Sequence, residues 1–158
     1  MIYLRLAHYG DLPLIMAWRS NPLNWHGFFT QKEPLEWKEH LSWYSNRNQG
    51  WRELIITLVE DSIPRDIGLI TIGQLDHWSP EIGVIIGETS LWNKGYGTEA
   101  INLALNWLRE YSKEHRHVVG SHSTILDNNK PSIKAFKKCG FKYLGKAREG
   151  ESWYQRQL

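Results

Sequence analysis

The chain has 158 residues, a net charge of +2, 41% hydrophobic and 23% charged residues, which suits one domain with a real core and the composition of an ordinary water-soluble globule. No apolar run reaches the roughly 20 residues that span a bilayer, the segment around Arg5 and His8 carries no signal-peptide core, and so small a net charge argues for no nucleic-acid partner. A single cysteine, Cys139, leaves no internal disulfide and suits a reducing cytoplasm.

Tyr3 to Leu6 has the pattern of a short strand. Asp11 is placed to cap a helix with Pro13 in its first turn and Leu12, Ile15, Met16 and Trp18 on its apolar face. Asn21-Pro22 stops that helix, and an aromatic loop follows, Trp25-His26-Gly27-Phe28-Phe29. Trp37, His40, Leu41 and Tyr44 give a second helix over 34–47, ended by the turn Asn48-Gln49-Gly50. Trp51 to Glu60 and Arg65 to Gln74 are expected as strands, as is Glu81 to Ile86. Thr98 to Glu114 is a long amphipathic helix with Ala100, Ile101, Ala104, Leu105 and Leu108 inward. His117 to Thr124 is the next strand, Pro131 to Cys139 a helix, and Phe141 to Gly145 and Ser152 to Gln157 a final strand pair.

Between the third of the middle strands and the long helix lies Trp92-Asn93-Lys94-Gly95-Tyr96-Gly97-Thr98-Glu99-Ala100. A strand that enters a glycine-rich loop opening a helix is a phosphate site: glycines let backbone approach the anion, and free N–H groups with the helix dipole attract it. Lys94 adds a positive charge at the loop edge. Gly95-x-Gly97-x-x-Ala100 also fits the dinucleotide fingerprint, but that motif begins at the strand end. Here Glu88 to Lys94 intervene, and strands already precede the unit. A P-loop is excluded because no Gly-Lys-Ser or Gly-Lys-Thr occurs.

Trp92-x-x-Gly95-x-Gly97 resembles the Gln/Arg-x-x-Gly-x-Gly/Ala signature of the GNAT acyltransferases, with Trp92 as the departure. Members resembling the ribosomal-protein N-acetyltransferases carry Trp-Gly-Lys-Gly-Tyr-Gly-Thr-Glu-Ala, matched here except at Asn93. A second block, Asn129-Lys130-Pro131-Ser132 followed by Phe136-Lys137-Lys138-Cys139-Gly140-Phe141, resembles the family's later Asn-x-x-Ser and Gly-Phe elements. The resemblance implies an α/β (α+β) GNAT fold: a mixed, mostly antiparallel sheet flanked by helices and splayed between the fourth and fifth strands. It implies acetyl-CoA as cosubstrate, with pantetheine along Val84, Ile85 and Ile86. The pyrophosphate is expected at Trp92, Asn93, Lys94, Gly95, Tyr96, Gly97 and Thr98, with Asn129, Ser132 and Phe136 beside the cofactor arm. Gly83 and Gly87 each permit the bulge that would open the sheet.

Acetyl transfer to an amine needs a proton acceptor for the amine and, for the departing thiolate, a proton or a donor. The resemblance makes Glu81 the candidate base; a strand-end carboxylate without catalytic role is the equal alternative. Many members place a tyrosine hydroxyl where this chain has Phe136, which cannot donate. Ser132 is a replacement acid, or else a hydroxyl bonding a local N–H at its helix start; Tyr143 and Tyr154 are weaker candidates, and the reaction can also run without an acid. Lys130, Lys134, Lys137 and Lys138 gather positive charge around this helix. His115, His117 and His122 lack the carboxylate or thiol that would complete a metal set, so no metal is expected.

Nine tryptophans are the unusual count, several in the N-terminal third. Trp18-Arg19-Ser20-Asn21-Pro22 and Glu39-His40-Leu41-Ser42-Trp43 resemble acetyltransferases of nucleotide-linked amino-sugars. Trp25, Phe28 and Phe29 are the acceptor candidates, with Arg19 to pair an anionic group; Trp18, Trp37 and Trp43, at helical spacing, fit a core. The expected function is N-acetylation of a small-molecule amine, a nucleotide amino-sugar being one option, by a monomer or homodimer. Acetylation of a protein N-terminus or an antibiotic is the alternative, and an inactive acyl-CoA sensor is the alternative of another class.

Overall fold

A computed structural model of the protein describes residues 1–25, 27–28, 31–47 and 50–158. The elements are β1 (Ile2–Leu6), α1 (Leu12–Ser20), α2 (Pro22–Trp25), α3 (Trp37–Ser45), β2 (Arg52–Glu60), β3 (Ile63–Gly73), β4 (Glu81–Ile86), α4 (Tyr96–Glu114), β5 (Gly120–Leu126), α5 (Lys130–Lys138), β6 (Lys142–Arg148) and β7 (Glu151–Gln157). One seven-stranded sheet runs in the order β1-β2-β3-β4-β5-β7-β6. Its pairs are antiparallel except β4 with β5, which is parallel. This is the expected mixed, mostly antiparallel sheet.

Period-two alternation in the central strands buries both faces. Leu54, Ile56 and Leu58 of β2, with Ile70 and Ile72 of β3, meet Ala100, Ile101, Ala104, Leu105 and Leu108 of α4 and Phe136 of α5. Their neighbours Ile55 and Leu69 point the other way, onto Ile15 and Trp18 of α1, with Trp43 and Ile85 packed alongside. The inward stripe expected for α4 is therefore its buried face, and the helix starts two residues earlier than expected, at Tyr96.

Several local expectations change. Asp11 precedes α1 but gives it no side-chain cap. Its carboxylate instead accepts two bonds from the Arg5 guanidinium, both at 2.8 Å, and one from the His8 N–H at 2.9 Å. Arg5 holds that carboxyl below its ordinary range; a bidentate charged pair outcompetes a single capping bond. Pro22 ends α1 but opens α2, so Trp25 stands in a short helix rather than a loop. α3 is shorter than expected, and Trp37 on it is 41% exposed rather than core. His117 precedes β5 rather than lying on it.

Neither Gly83 nor Gly87 forms a bulge in the β3–β4 ladder, which keeps one register from Gly68↔Ile86 to Gly73↔Glu81. A register shift falls between β2 and β3, at Ile56/Thr57. Gly87 serves close packing instead: a Cβ there would lie 2.1 Å from Cδ1 of the buried Trp18 ring. Gly87→Ala is expected to destabilise by about 1–3 kcal/mol, roughly 2–12 °C in melting temperature. An unchanged melting temperature would mean that the Trp18 ring shifts at no cost.

Candidate active site

β4 and β5 share one paired position, Glu81↔His122. Beyond it β4 stays with β3 through Ile86 and β5 stays with β7 through Leu126, so the sheet opens between them. A cavity of about 810 Å³ occupies the opening, a size ordinary for ligand sites. Gly83, Val84, Ile85 and Ile86 all line it. Val84 and Ile86 pack on the α4 side of the sheet and Ile85 on the α1 side. Because alternate residues of a strand face opposite ways, a cavity touching all four passes through the sheet rather than lying on it. Ser123, Thr124 and Ile125 form the opposing wall.

On the α4 side, Asn93 (φ 62°) and Gly95 (φ 93°) are left-handed, turning the loop into α4, whose first residues stand at the cavity rim. Gly95 is the N-cap and gives no side-chain bond, which leaves the first-turn N–H groups without a capping side chain. A Cβ on Gly97 would come no closer than 3.9 Å to Ile86. The protein's own packing therefore leaves the space above Gly97 free. Trp92, Asn93, Gly95, Tyr96, Gly97 and Thr98 line the cavity; Lys94 is exposed and does not. Trp92 has a structural use: its indole N–H donates to the Ile86 carbonyl at 2.8 Å, fastening the loop to the end of β4.

Asn129, Ser132 and Phe136 all reach the cavity from α5. The Asn129 side chain accepts from the Ser132 N–H at 3.3 Å and so caps α5. Ser132 is thereby relieved of capping, and its hydroxyl makes no hydrogen bond among the described residues. Phe136 is 1% exposed and meets Phe141 edge-on at 5.0 Å. Tyr143 and Tyr154 contact each other and do not line the cavity; burial pushes the Tyr154 phenol up. Of the α5 lysines, Lys134 and Lys138 line the cavity and Lys130 and Lys137 do not.

Glu81 does not itself line the cavity. Its Oε1 accepts from the Thr124 hydroxyl at 2.7 Å, and Thr124 does line it. His122 packs beside this pair, buried, with Nδ1 2.6 Å from the Ser79 carbonyl. A carbonyl only accepts, so Nδ1 carries the proton, and burial pushes the ring toward its neutral form. His117 likewise donates Nε2–H to the Leu75 carbonyl at 2.9 Å.

On the α1 side the wall consists of Arg19, Leu23, Asn24, Gly27, Phe28, Trp43 and Arg47. Trp25 is not on it; its indole N–H donates to the Arg19 carbonyl at 2.8 Å and holds that backbone in place. A Cβ on Gly27 would lie 3.0 Å from the Asn129 amide, so this segment reaches across to α5. Phe29 lies outside the described residues. Trp43, Arg47 and Thr124 were not picked out from sequence. Trp43 closes the Glu39-His40-Leu41-Ser42-Trp43 resemblance but has the helical spacing of a core residue, and Arg47 and Thr124 sit in no motif.

A mixed sheet split between its parallel strands, with a helix N-terminus at the split, is the GNAT fold. Residues 2–142 match the family model described as "Acetyltransferase (GNAT) domain"; the chain belongs to that family. It is 42% identical over 157 residues to an uncharacterised protein of Methanocaldococcus jannaschii, covering 99% of this chain and 31% of that protein. The chain thus spans about a third of that curated relative. A crystal structure of a domain from the same organism superposes with a TM-score of 0.94 at 42% identity, covering 100% of this chain and 99% of the other. Spermidine N-acetyltransferase from Vibrio cholerae, solved with CoA and spermine, superposes with a TM-score of 0.76 at 22% identity, covering 99% and 94%. No helix among the described residues is long and apolar enough to cross a membrane.

Proposed function

We propose that the protein transfers the acetyl group of acetyl-CoA to a primary amine, and the observation that carries this is the cavity through the β4–β5 split. Such a passage lets a thioester enter from the α4 side and an amine from the α1 side, meeting between the strands. The α4 N-terminus, with Gly95 and Gly97, would hold the pyrophosphate, the free edge of β4 from Val84 to Ile86 the pantetheine, and Lys134 and Lys138 the remaining phosphate. Acetyl-CoA supplies an acyl group already activated as a thioester. The amine nitrogen bonds to the acyl carbon as the carbon–sulfur bond breaks. Thr124 accepts the amine proton on its hydroxyl oxygen and passes its own to Glu81, and Ser132 donates to the departing sulfur.

The acceptor is a small molecule, with a nucleotide-linked amino-sugar the specific candidate: Phe28 offers a flat face and Arg19 an anion partner. A cytoplasmic enzyme acting as monomer or homodimer fits this reading. Release of free thiol from acetyl-CoA across a panel of amines tests it, and no release with any amine would leave a binding protein. Within the mechanism, Ser132→Ala should lower kcat about tenfold or more with the KM for acetyl-CoA little changed. Full activity in that variant would remove Ser132 from the proton path.

A further inference from the structure

Four cationic side chains line the cavity, and no carboxylate does among the described residues. The five residues outside the description are His26, Phe29, Thr30, Asn48 and Gln49, so none of them adds an acid. Lys134 and Lys138 belong to the cofactor side. Arg19 and Arg47 belong to the α1–α3 side, where the amine must enter, and they share one aromatic ring. Their guanidinium carbons lie 4.2 and 3.6 Å from the Trp43 ring centroid.

Two like charges on one ring need an explanation. The ring's quadrupole offsets part of their repulsion. Glu53, beside Arg47, answers one of them. Arg19 remains: its Nη1 is buried without a hydrogen-bond partner among the described residues, and burial pushes its guanidinium below the ordinary value. Arg47 is pushed down to about 9 by burial and by Arg19, with Tyr44 acting in the opposite sense. A guanidinium holds its proton in proteins, so both are cationic near neutral pH. A buried donor without an acceptor is costly, and its cost disappears when an oxyanion arrives. The backbone is fixed for this purpose, since Trp25 and Gln31 both donate to the Arg19 carbonyl, at 2.8 and 2.6 Å.

We propose that Arg19 and Arg47, braced on Trp43, form a subsite that binds a phosphate or carboxylate of the amine acceptor and turns away polycationic amines. The proposal rests on the acetyltransferase reading for the identity of its ligand as an amine. A polyamine would carry its second positive charge toward two guanidinium groups with no carboxylate on the wall to receive it. An amine bearing an oxyanion would be oriented by the same two groups, its nitrogen left facing the β4–β5 opening.

The test compares matched amines in the thiol-release assay: ethanolamine with phosphoethanolamine, glycinamide with glycine, glucosamine with glucosamine 6-phosphate, and spermidine as the polycation. The anionic member of each pair is expected to have the higher kcat/KM, by about tenfold or more. Phosphoethanolamine against glycine separates phosphate from carboxylate as the preferred group. Arg19→Gln should raise the KM for the anionic amine about 10- to 100-fold while the KM for acetyl-CoA is retained. Arg47→Gln strands Glu53, so Arg47→Gln/Glu53→Gln is the second variant, with the same expected effect.

Binding is read separately. With coenzyme A saturating, inorganic pyrophosphate should raise the melting temperature of the unmodified protein and not of Arg19→Gln. Preference for spermidine or for the neutral amines, or an anion preference that survives both variants, overturns the subsite and leaves the acetyltransferase reading intact. Absence of coenzyme A binding overturns the acetyltransferase reading instead, and the pyrophosphate shift measured without coenzyme A then decides the subsite by itself.

Discussion

Gly97→Glu is expected to fold as the unmodified chain does and to lose coenzyme A. The nearest atom outside its own helix to a Cβ at this position is Ile86 Cγ1 at 3.9 Å, so the new side chain starts from open space. It stands at the first turn of α4, the proposed pyrophosphate site, and adds bulk and a like charge there. A ligand at a hundred times its dissociation constant stabilises by about 2.7 kcal/mol. For a chain of this size that is roughly 5–11 °C in melting temperature. The unmodified protein should show that shift with coenzyme A, and Gly97→Glu should show none. An equal shift in the variant would take the pyrophosphate away from this loop and with it the direction of the cofactor through the sheet.

The second large effect concerns the proton path. Removing a general base costs about 100- to 10,000-fold in rate. Glu81→Gln keeps a side-chain acceptor for the Thr124 hydroxyl while removing the basicity, so kcat should fall within that range without loss of acetyl-CoA binding. Thr124→Val should lower kcat as well, because Glu81 does not line the cavity and Thr124 does. Thr124→Ser restores a hydroxyl and should recover most of the rate. Retained kcat in both Glu81→Gln and Thr124→Val would make this pair a strand-end hydrogen bond and nothing more.

The half of the candidate site proposed for the cofactor could be marked out from sequence because its residues are local in sequence. Gly95 and Gly97 lie within one loop, and the helix they open is the same segment that carries the α4 stripe, so spacing alone states both the loop and its helix. Asn129 and Ser132 sit three residues apart at a helix start, and their sequence neighbourhood is their structural one. Even so, the division of labour between them needed coordinates. Only there does the Asn129 side chain bond the Ser132 N–H and leave the serine hydroxyl to the cavity.

The acceptor half was less legible because it is assembled from distant segments. Trp43 had the spacing of a buried helix residue, and nothing in its neighbours tells that Arg19, from a different helix, would share its ring. Trp25 was singled out for its place among aromatics, yet its indole serves the Arg19 backbone. Trp37, at the spacing of a core residue, is exposed instead. Helical period gives the direction of a side chain relative to its own axis; what stands there depends on which element arrives.

By itself the sequence determined the order of strands and helices apart from the short α2, and the glycine loop that opens the long helix. These follow from periods of 2 and 3.6 residues and from local backbone freedom, all of which act within a few residues. The family resemblance already placed the opening between the fourth and fifth strands; tertiary structure decided at which pair they part. No residue within β4 or β5 dictates that they part after Glu81↔His122; each is held by a longer antiparallel ladder on its far side, and the opening follows from that competition. It likewise decided that Thr124 stands between Glu81 and the cavity, and that two arginines meet on one tryptophan, since charge and distance between remote segments exist only once the chain has folded.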